Sequence, residues 1–187
     1  MKKLALLIVF TITTFLFTNA QEKLKIDTSK SALKWSGEYS FYFGGHNGTI
    51  NFKEGYFEKT DDVISGGEFI IDMNSIICLD IENEDGNTSL VNHLKDEDFF
   101  DVKKFPTATL SITRVQYHNN TNMKVYADLT IKGITLPVNF QAEINYEKQQ
   151  MTTKFKIDRQ RWGIDYNSKL RDGAIADGIG FEVKLSI

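Results

Sequence analysis

The sequence predicts a single all-β domain that contains one short helix. Segments of alternating apolar and polar residues follow one another at hairpin spacing from Lys23 to the C-terminus, and there are about eight of them. Helical periodicity occurs once, around residues 87–100, so strands do not alternate with helices as they do in a parallel sheet. The chain has only two prolines, and no proline-rich linker divides it. These observations favour an antiparallel barrel or sandwich.

Residues 1–20 have the composition of a secretory signal peptide. Two lysines near the start precede an apolar run over residues 4–17, and small or polar residues separate that run from Gln21. The basic, apolar, small order is the signature of a cleaved leader. The apolar run is short for a membrane span, so a retained anchor is the less favoured alternative. We therefore expect a mature domain of residues 21–187 in the periplasm or outside the cell, without stable membrane insertion.

The net charge argues against some classes of binding partner, and the cysteine content argues against a disulfide within the domain. The net charge is −3 at pH 7, which argues against nucleic acid or an anionic membrane surface as the main partner. Cys78 is the only cysteine, so the domain has no internal disulfide. The residues next to Cys78 are apolar, and we expect its side chain to be buried as a small hydrophobic group.

Three strands are predicted before the helix. Their apolar residues at alternate positions are Leu33 and Trp35 in the first strand, Ile50 and Phe52 in the second, and Gly67, Phe69, Ile71 and Met73 in the third. An aromatic cluster over residues 39–43 follows the first strand, and a glycine-rich segment then interrupts the pattern.

The pair Asn47–Gly48 in that glycine-rich segment allows two interpretations. Asn-Gly is the strongest short-range signal for a tight hairpin turn, and a turn is the interpretation that we favour. The alternative places His46 at the open end of a barrel, where its ring can contact the polar end of a ligand.

The helix is predicted just before a charged corner with three phenylalanines. An acidic loop over residues 80–85 precedes it, and Asn87 or Thr88 is the expected N-cap. Leu90, Val91, Leu94, Phe99 and Phe100 fall on one side of the predicted helix. Pro106 then imposes an extended backbone on Phe105 and starts a half-buried strand. We expect Phe99, Phe100 and Phe105 to pack this corner against one end of the barrel.

Further strands follow the corner to the end of the chain. Their apolar residues lie within residues 108–112, 125–131, 136–144, 155–157 and 179–187, and Lys132–Gly133 is the expected turn between two of them. Arg159 and Arg161 come after the strand that contains Phe155. We expect both arginines to be exposed beside carboxylates, although an arginine pair also suits a phosphate group.

Four segments of the chain resemble the YceI-like proteins, a lipocalin-like family that binds polyisoprenoids. The segment of residues 93–110 resembles the family signature H-L-K-S-x-D-F-F-D-x-x-K-x-P-x-A-x-F, and residues 127–140 resemble the hairpin G-D-L-T-I-K-G-V-T-K-P-V-x-F. Residues 69–76 and 155–164 are similar to two further strands of the family. Together the four segments, in the family's order, extend the resemblance over residues 23–187.

The resemblance implies an antiparallel eight-stranded lipocalin-like barrel with a hollow interior. It further implies an exported protein, with no cofactor, that holds a polyisoprenoid chain of the isoprenoid-quinone or polyprenyl type for transport or storage. A homodimer is compatible with this hypothesis. Five inward positions are the expected lining of the pocket: Trp35, Phe52, Phe69, Leu129 and Phe155. His46 and His93 are the expected contacts of the ligand's headgroup.

Catalytic and metal sites are not predicted. The sequence has no G-x-S-x-G, H-E-x-x-H or C-x-x-C motif, and its three histidines lack the paired spacing of a zinc site. One alternative is an enzyme that acts on a lipid, with His93 and Asp98 as an acid–base pair. The other alternative is a stress-related structural or interaction protein whose barrel is filled with side chains.

Overall fold

The computed structural model describes residues 22–40, 43–166 and 175–187. Within these residues it contains nine strands, one α-helix and one 3₁₀ turn. The elements are β1 (Glu22–Lys25), β2 (Ala32–Tyr39), β3 (Gly45–Thr60), β4 (Val63–Cys78), α1 (Glu84–Lys95), β5 (Thr107–Tyr117), β6 (Asn122–Ile131), β7 (Ile134–Asn145), β8 (Gln150–Asp158), the 3₁₀ turn (Arg159–Trp162) and β9 (Ile175–Ser186). The predicted leader and the aromatic residues 41 and 42 lie outside the described residues.

The strands close into an antiparallel barrel. From β2 to β9 each strand pairs with the next, and β9 pairs back with β2 through partners such as Trp35 and Phe181. The short β1 pairs with the C-terminal half of β3, on the same edge where β2 pairs with its N-terminal half. Because β1 and β2 share this edge, they occupy one position in the barrel. The predicted eight-stranded all-β barrel with one helix is therefore confirmed.

Alternation along each strand separates the core from the surface. In β6 every second residue is buried, from Met123 to Ile131, and the residues between them are partly exposed. Side chains in a strand point to opposite faces in turn, so this pattern fixes which face of β6 lines the barrel. The predicted turn at Lys132–Gly133 joins β6 to β7, and both residues have positive φ angles of 50° and 74°. Such angles are typical of the type I′ turn, which suits glycine at the second position.

The pair Asn47–Gly48 is not a turn, and the favoured interpretation of it was wrong. Both residues lie within β3, where Gly48 pairs with Trp35 of β2 and with Cys78 of β4. The Trp35 indole crosses Gly48 and donates a hydrogen bond from Nε1 to the Ile77 carbonyl at 3.2 Å. A Cβ atom at residue 48 would lie 2.6 Å from that Nε1. The same Cβ would lie even closer to the backbone carbonyl oxygen of Ile77. The glycine is therefore required by the close approach of the β4 backbone and of the Trp35 indole, and not by a bend in the chain.

The helix begins and ends earlier than predicted. Its N-cap is Asn83, whose side chain accepts a hydrogen bond from the Gly86 amide, and its last residue is Lys95. Asn87, one of the two expected caps, instead donates its side-chain amide to the backbone carbonyls of Cys78 and Ile81. These bonds tie α1 to the end of β4. The acidic residues at the start of α1 are favoured there by the positive end of the helix dipole.

Phe99 and Phe100 lie beyond the helix, in the turns that lead to β5. Phe99 is 4% exposed and packs edge-on against Phe100 at 4.9 Å between ring centroids. Phe100 is only half-buried, and so is Phe105, beside the Gly133 turn. Of the three rings expected to pack the corner, Phe99 is therefore the buried one, and Phe100 and Phe105 are only half-buried.

We predict that Phe99→Ala lowers the free energy of unfolding by about 3 kcal/mol, because it removes a buried ring and leaves a cavity. The half-buried Phe100 serves as the matched control, and Phe100→Ala has a smaller effect on unfolding. Urea denaturation of both variants measures the difference. Equal midpoints for the two variants would contradict this assignment of the corner.

Arg159 is buried, contrary to the expectation that it is exposed. It is 3% exposed, and its guanidinium donates hydrogen bonds to the backbone carbonyls of Ile164, Ile175 and Ala176. A guanidinium carries five N–H donors, so one arginine side chain can donate hydrogen bonds to several buried carbonyls. Arg159 thereby links the 3₁₀ turn to the start of β9. Arg161, two residues later, is exposed as predicted.

Candidate functional site

The barrel encloses an apolar cavity of about 80 Å³, which we call the inner chamber. Of the described residues that line it, all but one are hydrophobic: Leu33, Ile50, Phe52, Phe69, Ile71, Met73, Phe100, Ala108, Leu110, Ile112, Leu129, Ile131, Phe140, Met151, Phe155, Phe181, Val183 and Leu185. The exception is Thr153, whose hydroxyl donates a hydrogen bond to the Gln141 carbonyl at 2.6 Å. Among the described residues, the wall therefore offers apolar contact and no free polar side chain.

Several inward residues are only partly covered by protein. Leu110, Ile112, Phe155, Phe181 and Val183 all line the inner chamber, yet each is half-buried and not fully buried. A side chain that points into a barrel stays accessible only where other side chains do not fill the space beside it. These five side chains therefore border the space of the inner chamber and are not fully covered by their neighbours.

A second cavity of about 60 Å³ lies at the end of the barrel that α1 covers, and we call it the helix-side chamber. Trp35, Tyr39 and His46 line it from β2 and β3, and Leu90 and Leu94 line it from α1. Its wall and that of the inner chamber have three residues in common, which are Ile50, Phe100 and Phe181. The two chambers therefore adjoin, and together they form one largely apolar space in the barrel.

Polar groups converge beside the helix-side chamber. His46 Nε2 is 2.7 Å from the Tyr39 hydroxyl, and His46 Nδ1 is 2.8 Å from Asp80 Oδ2. The other carboxylate oxygen of Asp80, Oδ1, accepts hydrogen bonds from the backbone N–H of Asn47 at 2.7 Å and from the Cys78 thiol at 3.3 Å. These contacts form one connected network of hydrogen bonds.

The environment of Asp80 favours its ionised form. Burial raises the pKa of the Asp80 carboxyl, but the hydrogen bonds from Asn47, His46 and Cys78 outweigh that effect. The resulting pKa is lower than that of an ordinary aspartate. The network therefore holds a carboxylate at neutral pH, and this carboxylate orients the imidazole of His46.

The strand register brings this network together. Gly48 pairs with Cys78, and the Leu79 amide donates to the Asn47 carbonyl, so Asp80 comes to lie opposite His46. The two residues are 34 positions apart in the chain. From the sequence, Asp80 is expected in an acidic loop and Tyr39 is one member of an aromatic cluster. Neither residue carries a local motif that could have revealed the network.

The residues predicted from the sequence fall in three places. Phe52, Phe69, Leu129 and Phe155 line the inner chamber, and Trp35 and His46 line the helix-side chamber. His93 is in neither lining. Its ring packs against Tyr166 at 4.3 Å and Phe99 at 5.8 Å, and its Nδ1 is 3.7 Å from Asp98, which is too long for a hydrogen bond.

The sequence profile of the YceI-like domain matches residues 24–187. The chain belongs to the YceI-like family. A UPF0312 protein of Vibrio vulnificus is 32% identical over 119 residues, which are 58% of this chain and 63% of that protein. The match thus spans less than two thirds of that relative. A UPF0312 protein of Staphylococcus aureus is 28% identical over 78% of this chain and 92% of its own length.

The fold of the YceI-like chain also resembles a solved structure. The crystal structure of Burkholderia cenocepacia BcnA has a TM-score of 0.70 against it, over 86% of this chain and 98% of that one. The two sequences are 18% identical, so the likeness is one of fold. Within residues 22–40, 43–166 and 175–187, none of the helical segments has the length and apolarity to span a bilayer.

Proposed function

We propose that this protein binds a long apolar lipid, of the polyisoprenoid class, inside its barrel. The observation that carries the proposal is the pair of adjoining chambers, whose walls are almost wholly hydrophobic. Among the described residues, the wall of the inner chamber has no free polar side chain, so it cannot recognise a polar ligand by hydrogen bonds. It releases water favourably when an alkyl or prenyl chain enters. Two adjoining chambers of about 80 and 60 Å³ suit a single slender chain better than a bulky ring system.

Burial of the lipid's hydrocarbon chain is enough to account for micromolar affinity. At about 0.3 kcal/mol per non-hydrogen atom, a figure that includes the cost of association, a chain of about 27 carbon atoms reaches the roughly 8 kcal/mol of micromolar binding. No specific polar contact is needed for this. The polar end of the lipid, a quinone ring or a phosphate group, would then lie near His46, beside the helix-side chamber.

We favour a binding protein over an enzyme. The acid–base pair that an enzyme would use, His93 and Asp98, is not hydrogen-bonded and lies outside the linings of both chambers. A filled barrel is the other alternative, and the half-buried inward residues of the inner chamber argue against it. The proposed role is transport or storage of the lipid.

The experiment that tests this function is extraction of the protein purified from its own host. We expect organic extraction and mass spectrometry to identify a prenyl-chain lipid in about equimolar amount. Protein refolded from denaturant without lipid is the control, and it should take up a fluorescent prenyl analogue at micromolar concentration. Absence of a co-purifying lipid together with no uptake would disprove the proposal.

We further propose that residues 1–20 are removed on export and that the mature domain is 21–187. We predict that N-terminal sequencing of the protein from the periplasm or the medium begins at Gln21, because small and polar residues precede it. Deletion of residues 2–17 should leave the protein in the cytoplasm. Recovery of exported protein that retains Met1 would refute the cleavage.

A further inference from the structure

Three side chains of different chemistry meet beside the helix-side chamber. The imidazole of His46, the thiol of Cys78 and the carboxylate of Asp80 each present one potential ligand atom, and these atoms all lie within 4.8 Å of one another. Two contacts within the group are already short, on different oxygens of the same carboxylate: 2.8 Å from His46 Nδ1 to Asp80 Oδ2, and 3.3 Å from Cys78 Sγ to Asp80 Oδ1. A nitrogen, a sulfur and an oxygen atom thus lie close enough together to contact one ion.

The fold holds these three groups in place before any ion arrives. His46 and Cys78 lie on paired strands. The backbone N–H of Asn47 donates a hydrogen bond to Asp80 Oδ1, and Asp80 Oδ2 faces His46. The side chains of His46 and Asp80 are 30% and 25% exposed, so an ion can reach them from solvent. Cys78 is buried beneath them. The group is therefore held by backbone and side-chain contacts and is also accessible from solvent.

We propose that His46, Cys78 and Asp80 form a binding site for Zn²⁺. Thiolate, imidazole and carboxylate are the three ligand types that zinc uses in proteins, at distances of about 2.0–2.3 Å. The ligand atoms need to move by on the order of 1 Å to surround an ion at those distances. Three protein ligands leave a fourth tetrahedral position for water or another small ligand. This inference does not depend on the proposed lipid, and it departs from the sequence-based expectation of no metal site.

Tyr39 completes the arrangement as a positioning residue. A histidine that binds zinc through Nδ1 carries its proton on Nε2, and it commonly donates that proton to a fixed acceptor. The Tyr39 oxygen lies 2.7 Å from Nε2 and is suitably placed to accept it. When zinc binds, the imidazole proton moves from Nδ1 to Nε2, and the Cys78 thiol releases its proton to solvent as the Zn–S bond forms.

The first test uses the wild-type protein without a histidine tag. We expect Zn²⁺ to bind with a stoichiometry of one in isothermal titration calorimetry, and Co²⁺ to bind at the same site in competition with it. Cobalt should produce a thiolate-to-metal charge-transfer band in the near ultraviolet, because Cys78 is the only cysteine. Either an absent band or the lack of saturable zinc binding at micromolar concentrations would overturn the proposal, whatever the outcome for lipid binding.

Variants then assign the ligands. Cys78→Ser and His46→Gln should each weaken zinc binding by roughly 100-fold or more, and Tyr39→Phe by roughly 10-fold. The matched control is His118→Gln, which alters an exposed histidine in the turn between β5 and β6 and should leave the affinity unchanged. Melting curves check that each variant is folded. Unchanged affinity in folded Cys78→Ser or His46→Gln would show that the ion binds elsewhere.

Discussion

Replacement of Trp162 by alanine should lower the free energy of unfolding by about 3–5 kcal/mol. Trp162 has an exposed fraction of 0%, and it is among the largest fully buried side chains. Its Nε1 donates a hydrogen bond to the Leu129 carbonyl at 3.1 Å, which joins the 3₁₀ turn to β6. The substitution therefore removes a large ring, leaves a cavity, and leaves a buried carbonyl without this donor.

Urea denaturation measures this effect as a shift of the midpoint at an unchanged slope. The neighbouring Arg161 is exposed, and Arg161→Ala is the matched control, with an expected change below about 1 kcal/mol. If Trp162→Ala and Arg161→Ala unfold at similar midpoints, the 3₁₀ turn does not pack on the barrel as described.

Replacement of Val183 by tryptophan should weaken lipid binding at least tenfold while the barrel still folds. Val183 lines the inner chamber and is half-buried, so the larger ring can extend into the cavity. The added volume would occupy much of a space of about 80 Å³. Titration of a fluorescent prenyl analogue should show an affinity at least tenfold weaker than that of the wild type, a loss of about 1.4 kcal/mol.

Lys184→Trp is the matched control for that variant. Lys184 is the next residue of β9 and is exposed, so the same ring on the outer face should leave lipid binding unchanged. A melting curve beside each titration separates the hypotheses. If the interior were filled, Val183→Trp would instead lower stability by about 1–3 kcal/mol through overpacking. That result, with no wild-type binding to lose, would favour the filled barrel.

Local patterns in the sequence predicted the element types well. Alternation along β6 indicated its buried face, and Lys132–Gly133 indicated the turn that follows it. The errors arose where a residue has a distant partner. Gly48 is needed because the Ile77 backbone and the Trp35 indole lie against it. Arg159 is buried because its guanidinium bonds to carbonyls at the start of β9. These partners are more than ten residues away in sequence, so the pairs Asn47–Gly48 and Arg159–Arg161 suggested local roles.

The sequence by itself determined the family, the β-rich class and the face of each strand that turns inward. These properties depend on local periodicity and on motifs whose order is visible in the chain. Only the tertiary structure decided which inward residues pack together and which border a cavity, since that depends on how closed strands space their side chains. It also decided that Tyr39, His46, Cys78 and Asp80 form one network, because the register of β3 against β4 joins residues that are 34 positions apart.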